Sequence, residues 1–129
     1  MTTTSRAILV TAGMLLAIAT IFGAVGTHAL RARLSPDQLA MFETAVRYHF
    51  YNALGLLGIG TLALSFDAPL LRWSAVLIAA GVVLFSGGLY LAALGAPRII
   101  HALPPFGGLA WITGWFLFAV AIARAPFSR

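Results

Sequence analysis

Five residues of this chain could do chemistry together: His28, Glu43, Arg47, His49 and Asn52. Glu43 and Arg47 stand four residues apart, so on a helix their side chains can pair along its surface. Near a membrane boundary such a pair is partly desolvated, and removing one partner leaves the other as a costly lone charge. His28, His49 and His101 sit in separate segments and could hold a metal only by converging with a carboxylate such as Glu43. Nothing in their spacing forms a compact ligand motif. Asn52, one turn beyond Tyr48, is the deepest strongly polar side chain of its apolar segment, and its expected role is a hydrogen bond to another helix. Together the five residues predict a polar pocket at one membrane face, suited to a lipid headgroup or a small solute.

Other chemistries lack their residues. Ser86 lies in an apolar run without a nearby His or a nucleophile elbow, and the Gly clusters have neither the strand–turn–helix context nor the Lys of a phosphate loop. The chain has no Cys, hence no disulfide, thiolate metal site or thiol nucleophile. No acid stands inside the apolar runs to carry protons, which argues against a coupled transporter. The expectation is a protein that is not an enzyme and holds no cofactor and no metal.

The elements that must position these residues follow from composition. Of 129 residues, 61% are hydrophobic and 9% charged, whereas a soluble domain carries about a quarter charged residues. Lipid is therefore the main solvent, in agreement with a mean hydropathy of +0.99. The net charge of +5 comes from arginines that flank apolar runs rather than line one helix. Anionic headgroups, not nucleic acid, are the expected counter-charge.

A hydrocarbon layer of about 30 Å takes roughly 20 residues of helix. Four uncharged stretches approach that length: 7–27, 48–64, 73–94 and 106–123. The first outlasts the usual core of a secretory signal and reads as a retained anchor. Ser35-Pro36-Asp37-Gln38 is a helix-start signature, with Ser as N-cap and Gln placed to close a capping box. The second helix therefore begins at the interface, over 36–47, and extends beyond the bilayer at its N-terminal end. A polar link through His101 and Leu103-Pro104-Pro105 precedes the last span. The fold class predicted is all-α, a single membrane domain over 1–129 forming a four-helix bundle of antiparallel, up-down hairpins.

In lipid, helices associate through close backbone approach and interhelical hydrogen bonds. Gly13, Gly23, Gly26, Gly55, Gly58, Gly88, Gly107 and Gly114 are the expected packing positions, and Ser86 is expected to satisfy itself on its own helix. Trp73, Trp111, Trp115, Tyr48, Tyr51 and Tyr90 are expected mostly toward the headgroup zone. Arg6, Arg72, Arg124 and Arg129 on one side balance Arg31, Arg33, Arg47 and Arg98 on the other, so the arginine count assigns no orientation. Abundant small residues beside few buried polar ones predict a structural or accessory subunit, packing in a homo-oligomer or a larger membrane complex.

The ordered set Gly23-Ala24-Val25-Gly26-Thr27-His28-Ala29-Leu30, Phe42 through Tyr48, Tyr51-Asn52-Ala53-Leu54, Leu84 through Tyr90 and Pro105-Phe106-Gly107-Gly108 with Gly114-Trp115 resembles the domain-of-unknown-function 423 family. These are small four-span membrane proteins that include the bacterial YgdD proteins and the animal transmembrane protein 256. The resemblance implies a multi-pass protein of the bacterial cytoplasmic (inner) membrane and brings no activity, substrate or cofactor with it. Asn52 stands where many members carry His, and His49 where Gln is frequent. A metal or proton role resting on His at position 52 therefore cannot operate in this chain, while a hydrogen-bonding role can.

Overall fold

The computed structural model describes residues 1–126, and every regular element among them is helical. Helix α1 spans Thr3–Val25 and continues through a π-helical turn, Gly26–Leu30. Helix α2 spans Pro36–Leu62. Helix α3, Pro69–Gly81, runs through a second π-helical turn, Val82–Ser86, into α4, Gly87–Ala93. A 3-10 turn, Arg98–Ala102, leads into α5, Leu103–Ala123. The chain thus makes four helical rods.

The ends of the rods have local causes. Ser35 Oγ accepts the Gln38 amide at 3.2 Å and Gln38 Oε1 accepts the Ser35 amide at 3.0 Å, closing the capping box foreseen at the start of α2. After α4 the chain turns at Gly95, the one glycine with a left-handed φ, 91°. There the Ala96 amide reaches the Leu91 carbonyl and the Gly95 amide the Ala92 carbonyl, the paired bonds of a Schellman stop. The link expected at Pro104-Pro105 is instead the first turn of α5. Proline fits there because the first turn has no amide partner to lose.

Three rods are long and apolar enough to cross a membrane: Thr3–Leu30, Pro69–Ala93 and Arg98–Ala123. Helix α2 is less apolar, because Arg47, Tyr48, His49, Tyr51 and Asn52 fall within two turns. Its surroundings explain how it tolerates the two that are buried, His49 and Asn52. It packs along α1 on one side and along α3, the second π turn and α4 on the other, while α3 packs along α5. Backbones of α2 and α5 do not approach each other, and neither do those of α1 and α4. The centre of the molecule is therefore the α2–α3/α4 pair, flanked by α1 and α5. Leu56, Ile59, Leu71, Ile78 and Trp111 fill the larger core, and Phe42, Ala45, Tyr90 and Ala93 a smaller one.

Glycines set several of the close approaches. A Cβ on Gly107 would meet the Phe85 backbone, and Gly55 and Gly81 leave room for the indoles of Trp115 and Trp111. Gly114 sits against Ile78, Gly88 against Pro104, Gly26 against Phe42 and, more loosely, Gly23 against Val46. Gly13 and Gly58, expected as packing positions, touch nothing within the chain. Gly60, which backs onto Leu9, was not expected; its signal is that it shares a face of α2 with Ala53 and Leu56. Trp111 and Tyr90 are also corrected: both are core residues, 7% and 6% exposed, rather than headgroup anchors.

Candidate functional site

Three polar residues of the interior, His49, Asn52 and Ser86, bond between helices. His49 Nδ1 lies 3.0 Å from the Tyr90 hydroxyl, joining α2 to α4. Ser86 Oγ donates to the Ala45 carbonyl at 2.8 Å, also across helices rather than along its own, which corrects the expectation for Ser86. The π turn is what carries Ser86 around to face α2. Asn52 makes the interhelical bond expected of it: its Oδ1 accepts Trp115 Nε1 at 3.1 Å, while its Nδ2 donates to the Tyr48 carbonyl one turn back. Trp115 thereby bridges α2 and α5, whose backbones stay apart. Trp111 Nε1 donates to the Ile78 carbonyl of α3 at 3.1 Å.

The five candidate residues do not gather around one cavity. His49 and Asn52 are buried, 3% and 5% exposed, and point to Tyr90 and Trp115. His28, Glu43 and Arg47 are exposed. Glu43 and Arg47 line a groove of about 170 Å³ between α1 and α2, together with Gly23, Gly26 and Thr27. They do not form the ion pair their spacing allows, since the single salt bridge among the described residues joins Arg72 to Asp67 in the link before α3. There the Arg72 hydrogen bond holds the Asp67 carboxyl below its ordinary range. A carboxyl lowered on folding stabilises above its unfolded pKa and loses that contribution as pH falls through the folded value. The pair is therefore intact at neutral pH and opens only in acid. No group of three His, Cys, Asp or Glu side chains clusters among the described residues.

Two buried side-chain atoms lack partners: His49 Nε2 and Ser74 Oγ. Ser74 is fully buried, with its carbonyl facing Gly114 of α5. Replacing an unpartnered buried hydroxyl by hydrogen removes a desolvation cost, so Ser74→Ala is expected to raise stability by about 1 kcal/mol. Ser86→Ala, which deletes the bond to Ala45, is expected to lower it by about the same amount. Titration from mild detergent into dodecyl sulfate, followed by tryptophan fluorescence, measures both. Equal effects of the two serines would contradict the assignment of their partners.

The helices and their internal bonds define an all-helical membrane protein, in which Asn52 and Trp115 also line an open groove of about 570 Å³. The chain matches the family described as "Protein of unknown function (DUF423)" over residues 22–108, and it belongs to that family. A UPF0382 membrane protein of Staphylococcus haemolyticus is 39% identical over 99 residues, which cover 77% of this chain and 80% of that one. The UPF0382 membrane protein YwdK of Bacillus subtilis is 36% identical over 103 residues, covering 79% and 84%. The UPF0382 inner membrane protein YgdD of Escherichia coli is 32% identical over 121 residues, covering 94% and 92%. No solved structure matches the chain.

Proposed function

We propose that the chain is one domain that crosses the bacterial cytoplasmic membrane four times as an antiparallel bundle, and that it serves as a packing subunit, joined to a second copy of itself. The groove linings support the antiparallel course. Thr4 and Ile8 near the start of α1 meet Leu56 near the end of α2 and Arg72 at the start of α3, while Val25 and Leu30 meet Leu91 and Leu94 at the far end. Helix α2 crosses between α1 and the α3–α4 rod, which is how its buried polar residues, His49 and Asn52, avoid lipid.

The observation that carries the packing role is the outer face of α1. Gly13, Ala17, Thr20 and Ala24 form a small-residue stripe at helical spacing, and all four are exposed, although the other face of α1 packs on α2. Exposed small residues let another helix approach its backbone closely, which is what drives association in lipid. The absence of Cys makes a clean test. Ala17→Cys, oxidised in native membranes, is expected to give a disulfide-linked dimer, and Leu109→Cys on the exposed face of α5 is expected to give none. Equal crosslinking at both sites, or none at either, overturns the proposal.

The alternative is a headgroup or small-solute module at one membrane face. It draws on the groove beside Glu43 and Arg47, which gathers two of the five residues such a pocket would use.

A further inference from the structure

The backbones of α1 and α4 do not approach each other, and between them lies a groove of about 490 Å³. Its floor is aromatic: Phe22 and Tyr90 meet edge to face at 4.7 Å, and Phe42 and Tyr90 at 5.0 Å. Val25 and Leu30 form one wall, and Val83, Gly87, Leu91 and Leu94 the other. The lone polar group of the floor, the Tyr90 hydroxyl, is engaged by His49. A water-soluble ligand finds nothing here to bond.

The dimensions fit one leaflet of a membrane. From Val83 to Leu94 the wall rises about 17 Å at 1.5 Å per residue, close to half of an apolar layer of about 30 Å. At the mouth, Leu30 is followed by Arg31 and Arg33, and Leu94 by the Gly95 turn and Arg98. All three arginines are exposed and none is ion-paired among the described residues. The acids of this end, Asp37 and Glu43, both belong to α2, and Glu43 lies in the neighbouring groove. An apolar slot one leaflet deep, whose two walls run on in the chain into exposed arginines, has the form of a lipid with an acyl chain below and a negative phosphate above.

We propose that the groove between α1 and α4 seats an acyl chain of an anionic phospholipid whose phosphate lies among Arg31, Arg33 and Arg98. This goes beyond the packing role and stands without it, since the small-residue stripe of α1 is on another face of that helix.

Gly87 supplies the test. It lines the groove, and a Cβ built there meets nothing within 4 Å, so Gly87→Leu starts a bulky side chain into the slot from an unobstructed position. Gly58→Leu, equally unobstructed but on α2 away from the groove, is the control. The full chain is taken into micelles containing phosphatidylglycerol, phosphatidylcholine and palmitate in equal amounts, and retained lipid is read by native mass spectrometry. The wild type and Gly58→Leu are expected to retain phosphatidylglycerol, and Gly87→Leu to retain neither phospholipid. The double variant Arg31→Gln with Arg98→Gln is expected to lower the phosphatidylglycerol-to-phosphatidylcholine ratio about thirtyfold. Tryptophan fluorescence confirms that each variant is folded. Unchanged retention by folded Gly87→Leu, equal retention of the two phospholipids by the wild type, or retention of palmitate in their place each overturns the proposal.

Discussion

Gly107→Val is expected to destabilise the folded chain by about 3 kcal/mol. A Cβ at this position would lie 2.7 Å from Phe85 Cβ and 2.8 Å from its Cα, with the Phe85 amide nitrogen nearer still. Two of those three atoms are backbone, and they belong to the π-helical turn that joins α3 to α4. A side-chain tip can rotate away from an intruding methyl group, but here α5 itself has to move off α3. That displacement disturbs the Trp111 bond to the Ile78 carbonyl and the Gly114 contact with Ile78, because both lie along the same interface. The control is Gly58→Ala, where a Cβ meets nothing and the helix gains about 1 kcal/mol of intrinsic preference. Dodecyl sulfate titration is expected to place the two variants on opposite sides of the wild type. Gly107→Val unfolding with the wild type would mean that α5 does not approach Phe85 so closely.

The contrast between these two glycines marks how far the sequence could be read. Features set within one turn of chain were legible: the Ser35–Gln38 capping box and the start it gives α2 at Pro36. Each depends on residues a few positions apart, whose geometry local chemistry dictates. Which glycine is a packing position depends on what faces it, and for Gly107 that is Phe85, on another helix. Gly58 and Gly107 look alike in sequence, because the register between rods decides which of them has a neighbour. The same limit applies to the candidate site. Burial of Asn52 and its role as an interhelical bond followed from its depth, but Trp115 as its partner did not. The π turn at Val82–Ser86 leaves no mark in the sequence, yet it turns Ser86 toward Ala45 and presents Phe85 to Gly107. Helix α2 shows the converse: its modest hydropathy reports its enclosure by α1, α3 and α4, since polar side chains at His49 and Asn52 are usable only where other helices supply partners.

Tyr90→Ala is expected to cost about 3 kcal/mol, and the reason can be separated into packing and bonding. Tyr90 is the ring shared by Phe22 of α1 and Phe42 of α2, so its truncation removes the contact through which three rods meet. It also strips His49 Nδ1 of its partner. Tyr90→Phe keeps the ring and deletes only the hydroxyl, and should cost about 1 kcal/mol. His49→Leu removes the other half of the bond. If the two groups matter because they hold each other, the double variant Tyr90→Phe with His49→Leu is less destabilised than the sum of the single ones, since neither half of the bond is then left behind without the other. Additive losses would show instead that Tyr90 acts by shape alone, and that the α2–α4 contact is aromatic packing with an incidental hydroxyl. Coupling of about 1 kcal/mol would establish the bond as the device that lets α2 carry a histidine at a depth where lipid would otherwise exclude it.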